Sequence, residues 1–278
     1  MRSNVRYRSL LERAAAAPHM VWSILFIVAP LFFVLYFAIT DAEGHITLNN
    51  LASLTDYSNI FLLSVSFALI ATIICLLIGY PLAYFMSRTG KTTRRVLLLL
   101  LMLPMWISLL IRTYSLMALL DNGGLLNSLL VSLGFGRIRI IGTGGAVILG
   151  MIYDFLPYMV LPIYTVLTKL DPRYIEAAAD LGCNSLQVLG KVIIPLSLPG
   201  VISGITMVFV PSISTFYISQ KLGGGAFDLI GDTIERQFQH PSTYHTGAAI
   251  SLVMMILIII SVAIMNRFSD SNSGGFVV

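Results

Sequence analysis

Residues 57–87, YSNIFLLSVSFALIATIICLLIGYPLAYFMS, run for 31 positions without one charged side chain. A helix rising 1.5 Å per residue needs roughly 20 mostly apolar residues to cross a hydrocarbon core of about 30 Å, and inside that core its backbone groups satisfy one another. The stretch therefore reads as a membrane-spanning helix. Working outward, five further runs have the same character: 20–40, 96–120 (interrupted by Arg112), 140–168 (interrupted by Asp154), 196–220 and 237–266. The fold class expected is all-α, a polytopic membrane protein with six transmembrane helices. Composition agrees, with 57% of the 278 residues apolar and 11% charged, where soluble domains carry about 25% charged residues. Mean hydropathy is +0.88.

Lys and Arg in short flanks stay on the cytoplasmic side of a membrane. Placed by these spans, twelve basic residues fall on one side, in the N-terminal tail, after spans two and four, and at Arg267, and four fall on the other, Arg137, Arg139, Lys221 and Arg236. Both termini are thereby expected in the cytoplasm. The organisation follows as a tail over 1–19, a six-span domain over 20–266 containing a loop at 169–195, and a second tail over 267–278. A secretory signal peptide is the alternative for the first run, but a signal core is 7 to 15 residues long and this one is about 20. Two cysteines, Cys75 in a span and Cys183 in a cytoplasmic loop, make no disulfide framework. The outer loops collect Asp41, Glu43, Asp56, Asp121, Asp228, Asp232 and Glu235, a surface suited to a cationic ligand or a basic partner.

The longest cytoplasmic connection, 169–195, carries helix signals in order. Asp171 is a cap before Pro172, Gly182 a stop, and Asn184 with Gln187 three residues on a capping box; the second helix is expected to run to Pro195. The result is a helix–Gly–helix elbow. Tyr174, Ala177, Ala178 and Leu181 share one face, and Arg173, Glu176 and Asp180 another. Pattern alone leaves open whether the small-residue face rests on the chain's own membrane domain or receives a partner.

Glu176-Ala177-Ala178, Gly182 six positions after the glutamate, then Val192, Ile194 and Pro195 resemble the EAA loop of ABC importer permeases. Val192 and Ile194 depart from that motif's Ile and Leu but remain apolar. Leu103-Pro104-Met105-Trp106 with Leu110 to Tyr114, Leu156 to Tyr164, and Phe216-Tyr217-Ile218-Ser219 before three glycines are similar to the spermidine/putrescine permeases in particular, over about residues 20 to 265. The resemblance implies a cytoplasmic EAA coupling loop with Glu176, Ala177, Ala178, Asp180, Gly182 and Pro195 as its ATPase-coupling residues. It also implies a homologous second permease (PotC-like), a PotA-like ATPase dimer and an extracytoplasmic PotD-like binding protein, in the cell (cytoplasmic or inner) membrane, with no nucleic-acid partner. Consistent with this division, no G-x-x-x-x-G-K-[ST] phosphate loop occurs in the chain. The expectation is a pore-forming subunit rather than an enzyme, with no cofactor of its own and with ATP and Mg bound by the partner ATPase. Gly223-Gly224-Gly225 reads as a flexible external loop.

Two charges sit within the spans. In a continuous third helix Arg112 lies about 24 Å from the inner boundary, where its side chain snorkels to the outer interface. Asp154 has fourteen uncharged residues on either side, which puts it near the midplane, where a carboxylate is costly unless paired, protonated or wet. It has two readings: a contact for a passing cation, or a partner for Arg112. Tyr158, one turn away, with Trp106, Phe216 and Tyr217 complete the substrate-pathway candidates, since aromatic faces attract cations. An independent secondary transporter or channel is the alternative class, against which stand the single midplane acid and the composite loop motif. No metal is expected, because His19, His45, His240 and His245 lack a carboxylate pattern.

Overall fold

A computed structural model describes residues 17–41 and 43–273, with side chains placed as far as Arg267. Of the two tails expected at the termini, 267–273 continue the last helix, while residues 1–16 and 274–278 lie outside the described residues. Among them no strand forms, and the elements are helices: α1 (Ala17–Ala38), α2 (Ser58–Arg88), α3 (Lys91–Trp106), α4 (Leu109–Leu120), α5 (Leu125–Ser132), α6 (Gly144–Lys169), α7 (Pro172–Asp180), α8 (Ser185–Ser214), α9 (Tyr217–Leu222), α10 (Ile230–Gln237) and α11 (Tyr244–Ser273). Five helices are long and apolar enough to cross a membrane, and a sixth span results if the bent pair 91–106 and 109–132 counts as one.

That bend corrects the sequence expectation of an unbroken helix over 96–120. The chain turns by 98° between Trp106 and Leu109. Pro104 has no N–H for the helical ladder; the turn around it tightens over Leu103–Trp106, and Ile107 and Ser108 are extended. The fifth span is also displaced. Its helix starts at Ser185, passes through Pro195 without stopping, and ends at Ser214, where Thr215 is extended; α9 follows as a separate short helix. Pro195 is accommodated because the turn just before it, Leu189–Ile193, is a π-turn, whose extra residue relieves the missing N–H and the ring clash. The same device, Ile24–Val28, precedes Pro30 in α1.

The chain forms two compact units. The smaller comprises the residues up to Tyr57 together with Ile234–Ile256. Its core is small, Ala38 against Ala248 and Ala249 with Leu51, Leu54 and Leu252 around them. Polar links supplement it: Asn50 Nδ2 donates to the Thr40 carbonyl at 2.8 Å, and Gln237 Nε2 donates to the Tyr57 hydroxyl at 3.1 Å. Nearly every apolar side chain of α1 is exposed, as befits a helix whose surroundings are hydrocarbon.

The larger unit, Ser58–Thr233 with the residues from Leu257 on, is built around α6. Met151, Met159, Val160 and Ile163 are fully buried there. The neighbouring helices approach closely because each presents glycine. A Cβ on Gly200 of α8 would lie 2.9 Å from the Pro162 carbonyl oxygen, one on Gly204 3.0 Å from the Met159 carbonyl oxygen, and one on Gly79 of α2 3.0 Å from Met159 Cγ. Gly200 and Gly204 are four apart, the small-x-x-x-small arrangement that lets helices pack backbone to backbone in lipid. α2 and α8 are joined by Tyr80 and Ser197, whose hydroxyls are 2.9 Å apart.

Overpacking a tight contact costs about 1–3 kcal/mol. Gly200→Leu and Gly204→Leu should therefore each lower the detergent melting temperature and the yield of folded protein. Gly190→Leu, at a position with open space, should leave both within error. Equal melting of all three would show that the glycine contacts do not hold the unit together.

Candidate functional site

The elbow forms as its caps require. Asp171 Oδ1 accepts from the Arg173 N–H at 3.0 Å, with Pro172 as the first helical residue. Asn184 Oδ1 accepts from the Gln187 N–H at 2.8 Å while Gln187 Oε1 accepts from the Asn184 N–H at 2.9 Å, a complete capping box. Between them Gly182 has φ of +81°, a conformation that side chains disfavour. Ala178 is buried in the core shared with Val188 and Ile193 and pins the elbow to the membrane domain. Glu176, Ala177 and Asp180 are exposed, as is Pro195. So are two large apolar side chains, Leu181 at 86% and Leu186 at 79%. The small-residue face is thus divided: Ala178 rests on the chain itself, and Tyr174, Ala177 and Leu181 are left open.

The pathway candidates separate into two places. Asp154 is fully buried on α6 and does not stand alone. Arg112 of α4 is 5% exposed, and its Nη1 lies 3.0 Å from Asp154 Oδ1 while donating to the Asp154 backbone carbonyl at 3.2 Å. The Thr113 hydroxyl approaches Asp154 Oδ2 at 3.4 Å. Arg112 therefore turns inward instead of snorkelling, and of the two readings of Asp154 the structure presents the ion pair. The cause is the bend: depth counted along an unbroken helix from residue 96 does not apply to a helix that restarts at Leu109. Opposite charges in two adjacent apolar runs were the available sequence signal. Tyr158, half-buried, has its ring 6.4 Å from that of Phe155.

The second place is the junction of α4 and α9. The rings of Tyr217 and Tyr114 meet edge to face, with centroids 5.9 Å apart, and Lys221 Nζ lies 5.3 Å from the Tyr114 centroid and 5.6 Å from the Tyr217 centroid. Neither Tyr114 nor Lys221 stood out in the sequence as a partner of Tyr217, because no local pattern links residues about a hundred positions apart. Phe216 is exposed beside the helix start, and Trp106, at 76% exposure, stands at the α3–α4 bend away from any ring partner described here. Of the three glycines after α9, the first is packed and the other two are exposed. Gly223 is buried, a Cβ on it would lie 2.4 Å from the Ser219 carbonyl oxygen, and Gly224 and Gly225 have φ of +57° and +76°.

Of the acids expected to coat the outer loops, Asp232 is buried instead, at 4% exposure. Its Oδ2 accepts from the Leu229 N–H at 2.8 Å, and the neighbouring Ile230 N–H is held by the Ser64 hydroxyl at 2.8 Å. Burial pushes its pKa up from 3.8 to about 6, against the hydrogen bonds from Ser219 and Leu229, with the charge of Asp228 adding to the rise.

Two predictions follow from these acids. Breaking a buried pair by removing one partner costs about 3–5 kcal/mol, because the other charge is stranded. Asp154→Asn should lower the melting temperature of the purified chain strongly, and adding Arg112→Gln should restore much of it; additive losses would refute the pairing. For Asp232, the folded state holds the proton more tightly than the unfolded chain. Its contribution is full below pH 3.8 and is lost as pH rises through about 6. Between pH 5 and pH 8 the wild-type melting temperature should therefore fall relative to that of Asp232→Asn, and parallel curves would contradict the burial effect.

Residues 76–273 match the family model described as binding-protein-dependent transport system inner membrane component. Among individual proteins, the chain is 38% identical over 256 residues to the spermidine/putrescine transport system permease protein PotB of Haemophilus influenzae, covering 88% of this chain and 90% of that one. It is 39% identical over 246 residues to PotB of Escherichia coli K12, covering 85% and 90%. In three dimensions it is similar to a chain of a bacterial ABC transporter involved in the import of the acidic polysaccharide alginate, with TM-score 0.78, 18% identity and coverage of 95% and 96%. It also resembles a chain of the MetNI methionine ABC transporter, with TM-score 0.58, 16% identity and coverage of 77% and 94%. The chain belongs to the family of binding-protein-dependent transport system inner membrane components.

Proposed function

We propose that this chain is a membrane-embedded permease subunit of an ATP-driven importer that moves polyamines, spermidine or putrescine, into the cell. The observation that carries the substrate class is 38–39% identity along most of the chain to permeases named for spermidine and putrescine. The fold alone does not decide it, since chains of alginate and methionine transporters share it. In this reading a second, homologous permease completes the pathway, a PotD-like binding protein delivers substrate from outside, and both termini face the cytoplasm. Tyr217 and Phe216, with Trp106 at the α3–α4 bend, are the aromatic surfaces offered to an extended cation. Asp154 gives the pathway its fixed wall, held in place by Arg112.

The elbow is the part that would meet the ATPase pair. It exposes the apolar Tyr174, Leu181 and Leu186 together with the charged Glu176 and Asp180, the composition of a docking surface with a charged rim. ATP and Mg belong to the partner ATPase, whose closure would push on the elbow. Because Ala178 and Val188 anchor the elbow to the membrane core, displacement there passes to α6 and α8. ATP must favour one arrangement of the spans over the other for this to do work.

Cells lacking the chain should lose uptake of radiolabelled spermidine or putrescine and regain it with the chain restored, with little change for uncharged solutes of similar size. Equal polyamine uptake with and without the chain would overturn the substrate class. Gly182→Leu, strained at φ of +81° by about 1–3 kcal/mol, should leave insertion intact and cut binding-protein-stimulated ATP hydrolysis at least several-fold. Full stimulation in that variant would remove the elbow from coupling.

A further inference from the structure

We propose that the Tyr114–Tyr217 corner is a binding site for an aliphatic primary ammonium, occupied in this conformation by the chain's own Lys221, which the ammonium end of the substrate displaces. The proposal rests on the polyamine reading for the identity of the incoming ligand and on geometry for the site. Lys221 Nζ lies 5.3 Å and 5.6 Å from the two ring centroids, within the roughly 6 Å over which a cation is attracted to an aromatic ring. The rings are inclined at 76° with centroids 5.9 Å apart, so they enclose the ammonium from two directions.

Each ring is held by its own support. Tyr114 follows Arg112 and Thr113, which are locked against Asp154. Tyr217 and Lys221 are four apart on α9, hence on one face of it. That helix is fixed by buried Ile218 and Leu222, which would touch any side chain placed on Gly150 of α6.

The occupant specifies the ligand. A lysine side chain is four methylenes ending in an ammonium, and putrescine is four methylenes between two ammoniums. A corner that accepts the first has the shape and charge preference for one end of the second. Two ammoniums cannot share it, because like charges a few ångströms apart repel. Arrival of substrate therefore requires Lys221 to leave, and departure of substrate lets it return, which closes the site behind the cargo.

The test uses the complete complex in liposomes, with polyamine uptake measured against n-butylammonium as competitor and n-butanol as the uncharged control. Lys221→Met retains the stem and vacates the corner, so butylammonium should inhibit this variant at concentrations at least tenfold below those needed for wild type. Lys221→Arg, which keeps a cation in place, should behave as wild type, and Lys221→Gln serves as a second vacant-corner variant if the Met variant assembles poorly. Adding Tyr114→Leu or Tyr217→Leu to the vacant-corner variant should abolish the new sensitivity. Unchanged sensitivity on loss of the lysine charge, or sensitivity that survives loss of either ring, would overturn the proposal. Polyamine uptake by wild type judges the substrate reading separately, so failure of one is distinguishable from failure of the other.

Discussion

Backbone-to-backbone contact around Met159 is the constraint on which the larger unit depends. Gly79 meets that residue from α2, Gly204 meets it from α8, and Gly200 meets the next turn of α6 at Pro162 and Ile163. In hydrocarbon, apolar side chains gain little from leaving their surroundings, so helices associate through close packing and the few polar contacts it permits. The three glycines make that approach possible. The Tyr80–Ser197 contact joins the same helices to each other. With α6 gripped at its middle, its N-terminal half has a defined orientation, and Asp154 is aimed at α4 as a consequence.

What the sequence revealed was what is local. The caps at Asp171 and Asn184, the reciprocal Gln187 and the left-handed Gly182 depend on residues within four positions of one another, and all formed as the residue types demand. The apolar runs were legible for the same reason, although their ends were not. Pro195 looked like a stop and is not one, because a π-turn absorbs it. Pro104 looked like an interior residue and marks a break.

The site was legible only in part. Asp154 and Arg112 were each conspicuous as charges in apolar runs, and their pairing was one of two readings; the structure presents it where α4 restarts after the bend. The Gly200–Gly204 spacing was present in the sequence, but its close contacts with α6 belong to the fold. Asp232 was indistinguishable from its acidic neighbours, since nothing near it in the chain announces that Leu229 and Ser219 will enclose it. Tyr114 and Lys221 lie on separate elements, and their meeting is a property of the fold alone.

The bend, the buried ion pair and the aromatic corner form one causal sequence. Without the extended pair Ile107–Ser108, α4 would continue the direction of α3. With it, α4 is free to present Arg112 and Thr113 to α6. Once those two are fixed, the next residue, Tyr114, is committed to the opposite flank, where α9 brings Tyr217 and Lys221. A charge pair that contributes little net stability compared with a well-packed apolar pair can still be what sets a register. Here it sets the rotation of α4 about its own axis. A rotation by one residue, about 100°, would carry Tyr114 away from Tyr217 and Lys221, which makes the buried pair a structural precondition of the aromatic corner.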